Sequence, residues 1–377
     1  MAKRIVVFGL FISALLLYCN ARDPHDAAAE NPYNGVKRST SEVLKFKKVS
    51  YIDQTGTGLE AFSLLMPADW QFTGGITWML DVPMMPARAA FRASDPSSKA
   101  AFVTYPSHCF YWPQDPVNQS LFPPGSRYFG MEVKYPVSAL EALTNMVLPQ
   151  EHGKVEILKA EPLPELVKLV GAGSQGYAEG AKVRFRFFDG NVMVEEELYG
   201  VVEVLNIPVQ SMYGQYNNYL WYVEYLFGFQ AEPGQLEANA RIFQAISSSF
   251  HLNPQWYAKY SHLIEYLAQN QIERIHSLGE LSRTLSRMSD QMREENLRQF
   301  EERGRIYDQG AQNFSDYMLN IDRYYDPFEG REVELPSGYQ YAWSNNLGEY
   351  ILTDDPNYNP GVGSNLHWEN MDRSGHQ

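Results

Sequence analysis

From Asn253 to Asp326 the chain carries helical periodicity and contains no proline between Pro254 and Pro327. Asn253-Pro254 is a strong helix opening, because asparagine caps the first free N–H groups and proline at the first helical position gives up no needed hydrogen bond. Tyr325-Asp326-Pro327 is an equally strong stop. Between them Leu278, Leu281, Leu285, Met288 and Met292 alternate steps of three and four, the spacing of a coiled-coil seam. The seam restarts one residue out of step with Phe300, Tyr307, Phe314 and Ile321, each seven apart, a phase shift that alters supercoil winding without ending a helix. A straight helix over this stretch would reach roughly 100 Å. Its apolar stripe therefore has to be covered, either by the rest of the chain or by self-association. Gly279, Gly304 and Gly310 weaken an uninterrupted rod, and Gly304, between two arginines, is the expected hinge.

With 377 residues, 44% of them hydrophobic, the chain can bury one good-sized domain and carry extensions. Its net charge of −14 argues against nucleic acid or an anionic membrane surface as the main partner, since either requires a concentrated basic patch. Lys3 and Arg4 precede an apolar run from Ile5 to Tyr18, the pattern of a secretory signal peptide and too short for a comfortable membrane span. Two processing routes follow. Cleavage after Ala21 gives a soluble chain in the periplasm or outside the cell that begins with a flexible linker, 22–41, whereas lipidation of Cys19, with Asn20 to Ser41 as a flexible tether, gives a membrane-anchored one. Tyr18 favours the first, because lipoprotein processing wants a small residue before the cysteine. Either way Cys109 is the remaining thiol, so stability has to come from the core rather than from disulfides.

Residues 42–252 are rich in strand signals. Phe46 to Asp53 and Leu59 to Met66 flank a Gly-rich turn, and Ala90 to Ser94 and Ala100 to Tyr105 flank Asp95-Pro96-Ser97-Ser98. Val137, Leu140, Leu143 and Val147 predict an amphipathic helix over 136–148. Asp189-Gly190 predicts a hairpin turn into strands at 192–205 and 219–229, and a closing helix follows over 234–250. The expected fold is an α+β sandwich, an antiparallel sheet with covering helices, followed by the long coiled-coil-like arm over 253–326 and a small β-hairpin in the tail, 327–377. The early Leu65-Met66-Pro67-Ala68-Asp69-Trp70, the hairpin through Asp95-Pro96 and the closing segment from Ile246 to Trp256 resemble the PsbP-type α-β-α sandwich family over about residues 40–256. That resemblance implies a non-catalytic binding or assembly role, and it carries over no functional residue.

The candidate chemistry is sparse. Gly171-Ala172-Gly173-Ser174-Gln175-Gly176 matches the dinucleotide fingerprint, but a β-run follows it where a helix is needed, so no nucleotide or other cofactor is expected. No His or Cys spacing fits a metal site. Asp355, Asn357, Asn359 and Gly361 imitate the start of a calcium loop, yet the glycine is displaced and Leu366 stands where the closing glutamate belongs, so Asx turns are the better account. His108 and Cys109 are adjacent, and on a strand they point to opposite faces, which reads as a buried inert thiol. A thiol-dependent hydrolase would need a base such as His152 to arrive from elsewhere. Tyr213, Tyr216 and Trp221 are the surface candidates for stacking on a cell-wall glycan or receiving a peptide.

The tail from Asp326 to Gln377 carries nine acidic residues against Arg331 and Arg373, yet Tyr339, Tyr341, Trp343, Tyr350 and Ile351 around Asn345-Asn346-Leu347-Gly348 predict a hairpin that docks on something. The functional expectation is an exported binding or assembly protein of the bacterial cell envelope, acting on a protein partner or on itself through the arm and the aromatic tail, with glycan binding as the alternative.

Overall fold

A computed structural model describes residues 43–79, 81–170, 176–211, 214–269, 280–281, 283–285 and 321–374. The chain opens with β1 (Leu44–Ile52), β2 (Glu60–Pro67), β3 (Gln71–Trp78), β4 (Ala87–Ser94), β5 (Ala101–Thr104) and β6 (His108–Trp112). A short α1 (Pro116–Leu121), β7 (Arg127–Tyr128) and β8 (Met131–Val133) follow. Next, α2 (Ala139–Ala142) runs through a π turn (Leu143–Val147) into α3 (Leu148–Glu151). Pro149 gives that turn a cause: it has no N–H to offer and its ring crowds the carbonyl of Asn145, which the wider turn relieves. Then come β9 (Glu156–Pro162), α4 (Pro164–Val170), the long strands β10 (Gly176–Asp189), β11 (Val192–Ser211) and β12 (Gly214–Ala231), α5 (Ala240–Ser248), β13 (His251–Leu252) and α6 (Pro254–Gln269). The last strands are β14 (Ile321–Asp326), β15 (Arg331–Pro336), β16 (Tyr341–Asn345), β17 (Glu349–Thr353) and β18 (Trp368–Asn370).

Two large sheets hold most of these strands. The smaller runs β13-β2-β1-β17-β16-β18, so the tail hairpin docks by pairing β17 with β1, in register from Leu44 opposite Leu352 to Lys47 opposite Glu349. The larger runs β3-β4-β5-β12-β11-β10-β9, with β6 also on β12 and the small β7–β8 pair joined to β6. Phe62, Leu64 and Met66 of the smaller sheet pack with Ile76, Phe91, Phe102, Phe227 and Phe229 of the larger, closed by Phe243 and Ile246 of α5 and Trp256 and Tyr260 of α6. The other face of the larger sheet is covered by α2, the π turn and α3. The β14–β15 ribbon packs beside β1 and β17.

This corrects the expected fold class. Strands make up 49% of the structure and helices 19%, the six helices are short, and the described residues hold no long helical arm; the architecture is a β sandwich or half-barrel. Within the proposed arm α6 is described over Pro254–Gln269, and Leu281 and Leu285 are buried in the main core. Ile321 opens a β-strand, not a last helical turn. The three-residue step from Ile321 to Tyr324 fits a helix, but Tyr324 and Asp326 are both buried at the two-residue step of a strand. Leu278, Met288, Met292, Phe300, Tyr307 and Phe314 lie outside the described residues, as does Cys19.

Asp53 ties the layers together. Its Oδ1 accepts from Gly56 N–H (3.0 Å) and Trp78 Nε1 (3.0 Å), and its Oδ2 from Thr57 N–H (2.9 Å) and Trp256 Nε1 (2.8 Å). One side chain thereby joins the β1–β2 turn, the end of β3 and the first turn of α6, with no exposure of its own. Each buried donor left unpaired costs about 1–3 kcal/mol. Asp53→Ala is therefore expected to lower the free energy of unfolding by about 3–5 kcal/mol in urea titration. Asp53→Asn, which keeps one accepting oxygen, should lose distinctly less.

Candidate functional site

The three aromatic residues singled out in the sequence are not brought together on the surface. Trp221 is fully buried, stacked on Phe110 at 4.3 Å, and its Nε1 donates to Lys134 O at 2.8 Å. Tyr216 is half-buried on β12 and Tyr213 lies outside the described residues. The catalytic alternative fares no better. Cys109 is buried, and burial pushes its thiol up to about 12 against the opposing pull of Arg88. His152 bonds to Tyr105 and lies beside Glu196, engaged away from the thiol. The Asx reading of the tail holds: Asn357 N–H donates to Asp355 Oδ1 and Gly361 N–H to Asn359 Oδ1, both at 2.9 Å.

A different aromatic group stands at the end of the larger sheet. Trp112, at the end of β6, faces Tyr219 across the strands and meets Tyr135 edge-on at 5.4 Å. Tyr177, near the start of β10, lies opposite Val204, itself opposite Trp221, so it shares the sheet face of Trp221 and Tyr219; partial burial and then the nearby Glu179 raise its hydroxyl pKa. Tyr135 is 63% exposed and Tyr177 50% exposed, while Trp112 and Tyr219 are half-buried. Gln114 Nε2 donates to Tyr219 Oη at 2.8 Å, putting an amide at the rim. Glu179 fixes the neighbouring helix by accepting from Ala139 N–H at 3.2 Å. The sequence signal was present: Tyr219 and Trp221 share a strand face. Which of the two that face leaves uncovered depends on the length of the helix lying over it.

Deeper in the same sheet, β12 is bulged. Tyr225 adopts φ +53°, the register with β11 shifts between Tyr199 and Val201, and Gly200 sits where a Cβ would meet Leu226 and Leu143. The strands flanking β12 break at the same height, β5 pairing with Phe227–Gln230 and β6 with Tyr219–Val223. The gap is a small cavity lined by Ala89, Phe91, Thr104, Tyr105, Ser107, Tyr225 and Leu226.

Two buried acid groups flank this break. Beside His152, Glu196 is fully enclosed; Tyr105 Oη donates to its Oε1 and Gln230 Nε2 to its Oε2, both at 2.7 Å. Burial raises Glu196 to about 7, against the lowering pull of those two bonds and of Arg92, with Glu151 adding to the rise. Beneath α6, Glu224 is raised well above the usual carboxyl range by burial, then by the charge of Glu203 and a hydrogen bond with it. Tyr222 and Tyr260 close this second group, their hydroxyls pushed up by burial and by each other's neighbourhood of Cys109 and Glu224. No described cluster of three or more His, Cys, Asp or Glu side chains is arranged to hold a metal ion.

Compared with known proteins, the chain matches no protein-family profile and no curated sequence.

The buried groups set the pH dependence of stability. Glu196 and Glu224 keep their protons more tightly folded than unfolded, so their contribution is complete below 4.5, the ordinary glutamate value, and is lost as pH rises through their folded values. His108 and His152, lowered to about 4 chiefly by burial with Arg88 and Arg92 adding, contribute fully above 6.5 and lose that contribution as pH falls toward 4. Between 4.5 and 6.5 these two trends cancel. Thermal unfolding should show a plateau there, with stability falling above it by about 1.4 kcal/mol per pH unit for each uncompensated proton. Glu224→Gln should flatten the alkaline limb and leave the acid limb in place.

Proposed function

We propose that the protein is an exported, non-catalytic binding protein of the bacterial cell envelope, and that its ligand is a glycan seated on Trp112, Tyr135, Tyr177 and Tyr219. The carrying observation is that group of exposed and half-exposed rings beside the Gln114 amide. Aromatic rings present a negative face to the weakly positive C–H groups of a sugar ring, and a few placed polar groups fix its orientation. Export is supported by Lys3, Arg4 and the apolar run that follows. The neutral, buried thiol of Cys109 speaks against the hydrolase reading.

Isothermal titration of the folded protein with N-acetylglucosamine oligosaccharides tests this. Binding is expected, and Tyr135→Ala and Tyr177→Ala are each expected to weaken it by about tenfold, the scale of a central aromatic contact. Both side chains are at least half exposed, so the unfolding temperature should stay the same. No heat with any such oligosaccharide, or binding of a proline-rich peptide at the same residues, would overturn the glycan assignment.

A further inference from the structure

Glu196, Tyr105 and His152 form a continuous hydrogen-bonded chain. Tyr105 Oη lies 2.7 Å from Glu196 Oε1 and 2.9 Å from His152 Nε2, whereas His152 Nε2 is 3.4 Å from Glu196 Oε2, too long for a good direct bond. Tyrosine has one proton, so its oxygen can donate to only one neighbour and must accept from the other. With Glu196 anionic, the directions are fixed: His152 Nε2–H donates to Tyr105, and Tyr105 O–H donates to Glu196. Gln230 Nε2 donates to the second carboxyl oxygen at 2.7 Å and, over a longer 3.3 Å, to Tyr105 Oη, which accepts it in either arrangement; the Gln230 Oε1 takes Arg92 Nη1–H at 2.6 Å.

With Glu196 protonated, a second arrangement also satisfies every group. The carboxyl O–H donates to Tyr105, Tyr105 O–H donates to His152 Nε2, and His152 carries its proton on Nδ1. The two arrangements differ by one proton and by the direction of the chain. We propose that this triad is a proton-uptake site in which a proton added at His152 Nδ1 is delivered to Glu196 by reversing the chain through Tyr105. The transfer balances: the solvent proton binds Nδ1, the Nε2 proton passes to Tyr105 Oη, and the Tyr105 hydroxyl proton passes to Glu196 Oε1.

Several features select this route. His152 is the member that reaches solvent, with 8% of its side chain accessible against none for Glu196. The rings of Phe185 and Phe187 lie 5.1 and 4.3 Å from its imidazole, and Arg92 adds positive charge, so a lasting imidazolium is disfavoured and the proton comes to rest on the glutamate. Gly228 leaves the space that the carboxyl group fills, since a Cβ there would collide with Glu196 Oε1. The titratable and charged groups around Glu196 are Tyr105, His152, Glu151 and Arg92, with Gln230 between the last and the carboxyl. Burial places the transition near neutrality, at about 7.

Nitrogen-15 NMR of the His152 ring in the folded protein, together with infrared difference spectroscopy of carboxyl groups, tests this between pH 6 and 8. On acidification His152 is expected to pass from the Nε2–H to the Nδ1–H neutral tautomer, while a protonated-carboxyl band appears with the same midpoint. In Glu196→Gln that band should vanish and His152 should stay Nδ1–H throughout, because the glutamine amide donates to Tyr105 permanently. In Tyr105→Phe the tautomer should no longer follow the carboxyl. His152 becoming imidazolium over this range, or holding one tautomer while Glu196 titrates, would overturn the proposal. Should Glu196→Gln fail to fold, the wild-type tautomer and Tyr105→Phe decide the matter.

Discussion

Strand β12 is buried on both faces from Leu220 to Ala231, and that constraint governs the rest of the molecule. A strand in that position cannot alternate apolar and polar residues. One face needs the smaller sheet with α5 and α6, and the other needs α2 and α3. Any polar side chain on β12 or its neighbours is then enclosed and must find partners inside, because an unpaired buried group is costly. Glu224 meets Glu203, and Glu196 meets Tyr105 and Gln230. The bulge at Tyr225 interrupts the pairing with β11 between these two groups, Glu224 lying opposite Val201 and Glu196 opposite Gln230.

The two-sided burial also explains why distant parts of the chain converge. β1 and β2 supply the second sheet from the start of the described chain, and β16, β17 and β18 complete it from the end. Asp53 fastens this sheet to α6 through Trp256 and to β3 through Trp78. Asp326 does a parallel task at the other edge, where it accepts from Ser344 Oγ at 3.2 Å and Tyr350 Oη at 2.7 Å. Both aspartates have their oxygens filled by donors from separate elements. They are fold-fastening groups, and neither has a lone pair turned toward a ligand.

Much of the strand order was legible locally. The turns at Gln54–Gly58, Asp95–Ser98, Asp189-Gly190 and Asn345–Gly348 each sit where the structure turns, because glycine, aspartate and asparagine supply the backbone geometry that hairpins need. The arm was misread for a physical reason. Leucines spaced by three and four satisfy a helix packed on a core as well as a coiled-coil seam, and Leu281 and Leu285 point into the core. The acid groups were not legible because nothing in Glu195-Glu196-Glu197 distinguishes buried Glu196 from buried Glu195, which is paired with Arg184 and Arg186, or from half-exposed Glu197; pairing with Gln230 of β12 does that. Trp221 was assigned to the surface because periodicity shows which residues share a face and not where the cover on that face ends.

The position of that cover follows from lengths alone. α2, the π turn and α3 together hold 13 residues, which at helical rise span roughly 20 Å, whereas the 20 residues of β11 extend roughly 65 Å. A helix so short cannot roof the whole face. It is anchored at its start by Ser138 and Glu179 and followed directly by His152 beside Glu196, so its two ends are pinned at fixed points on the sheet. Beside its first turn the face carries the exposed rings of Tyr135 and Tyr177, with Glu179 and Lys134 at their edge. A patch of that composition fits a ligand with an apolar ring face and hydroxyl rim better than it fits bulk water. The shortness of the helix therefore creates the surface on which the proposed glycan sits, and the same helix delivers His152 to the buried glutamate at its other end.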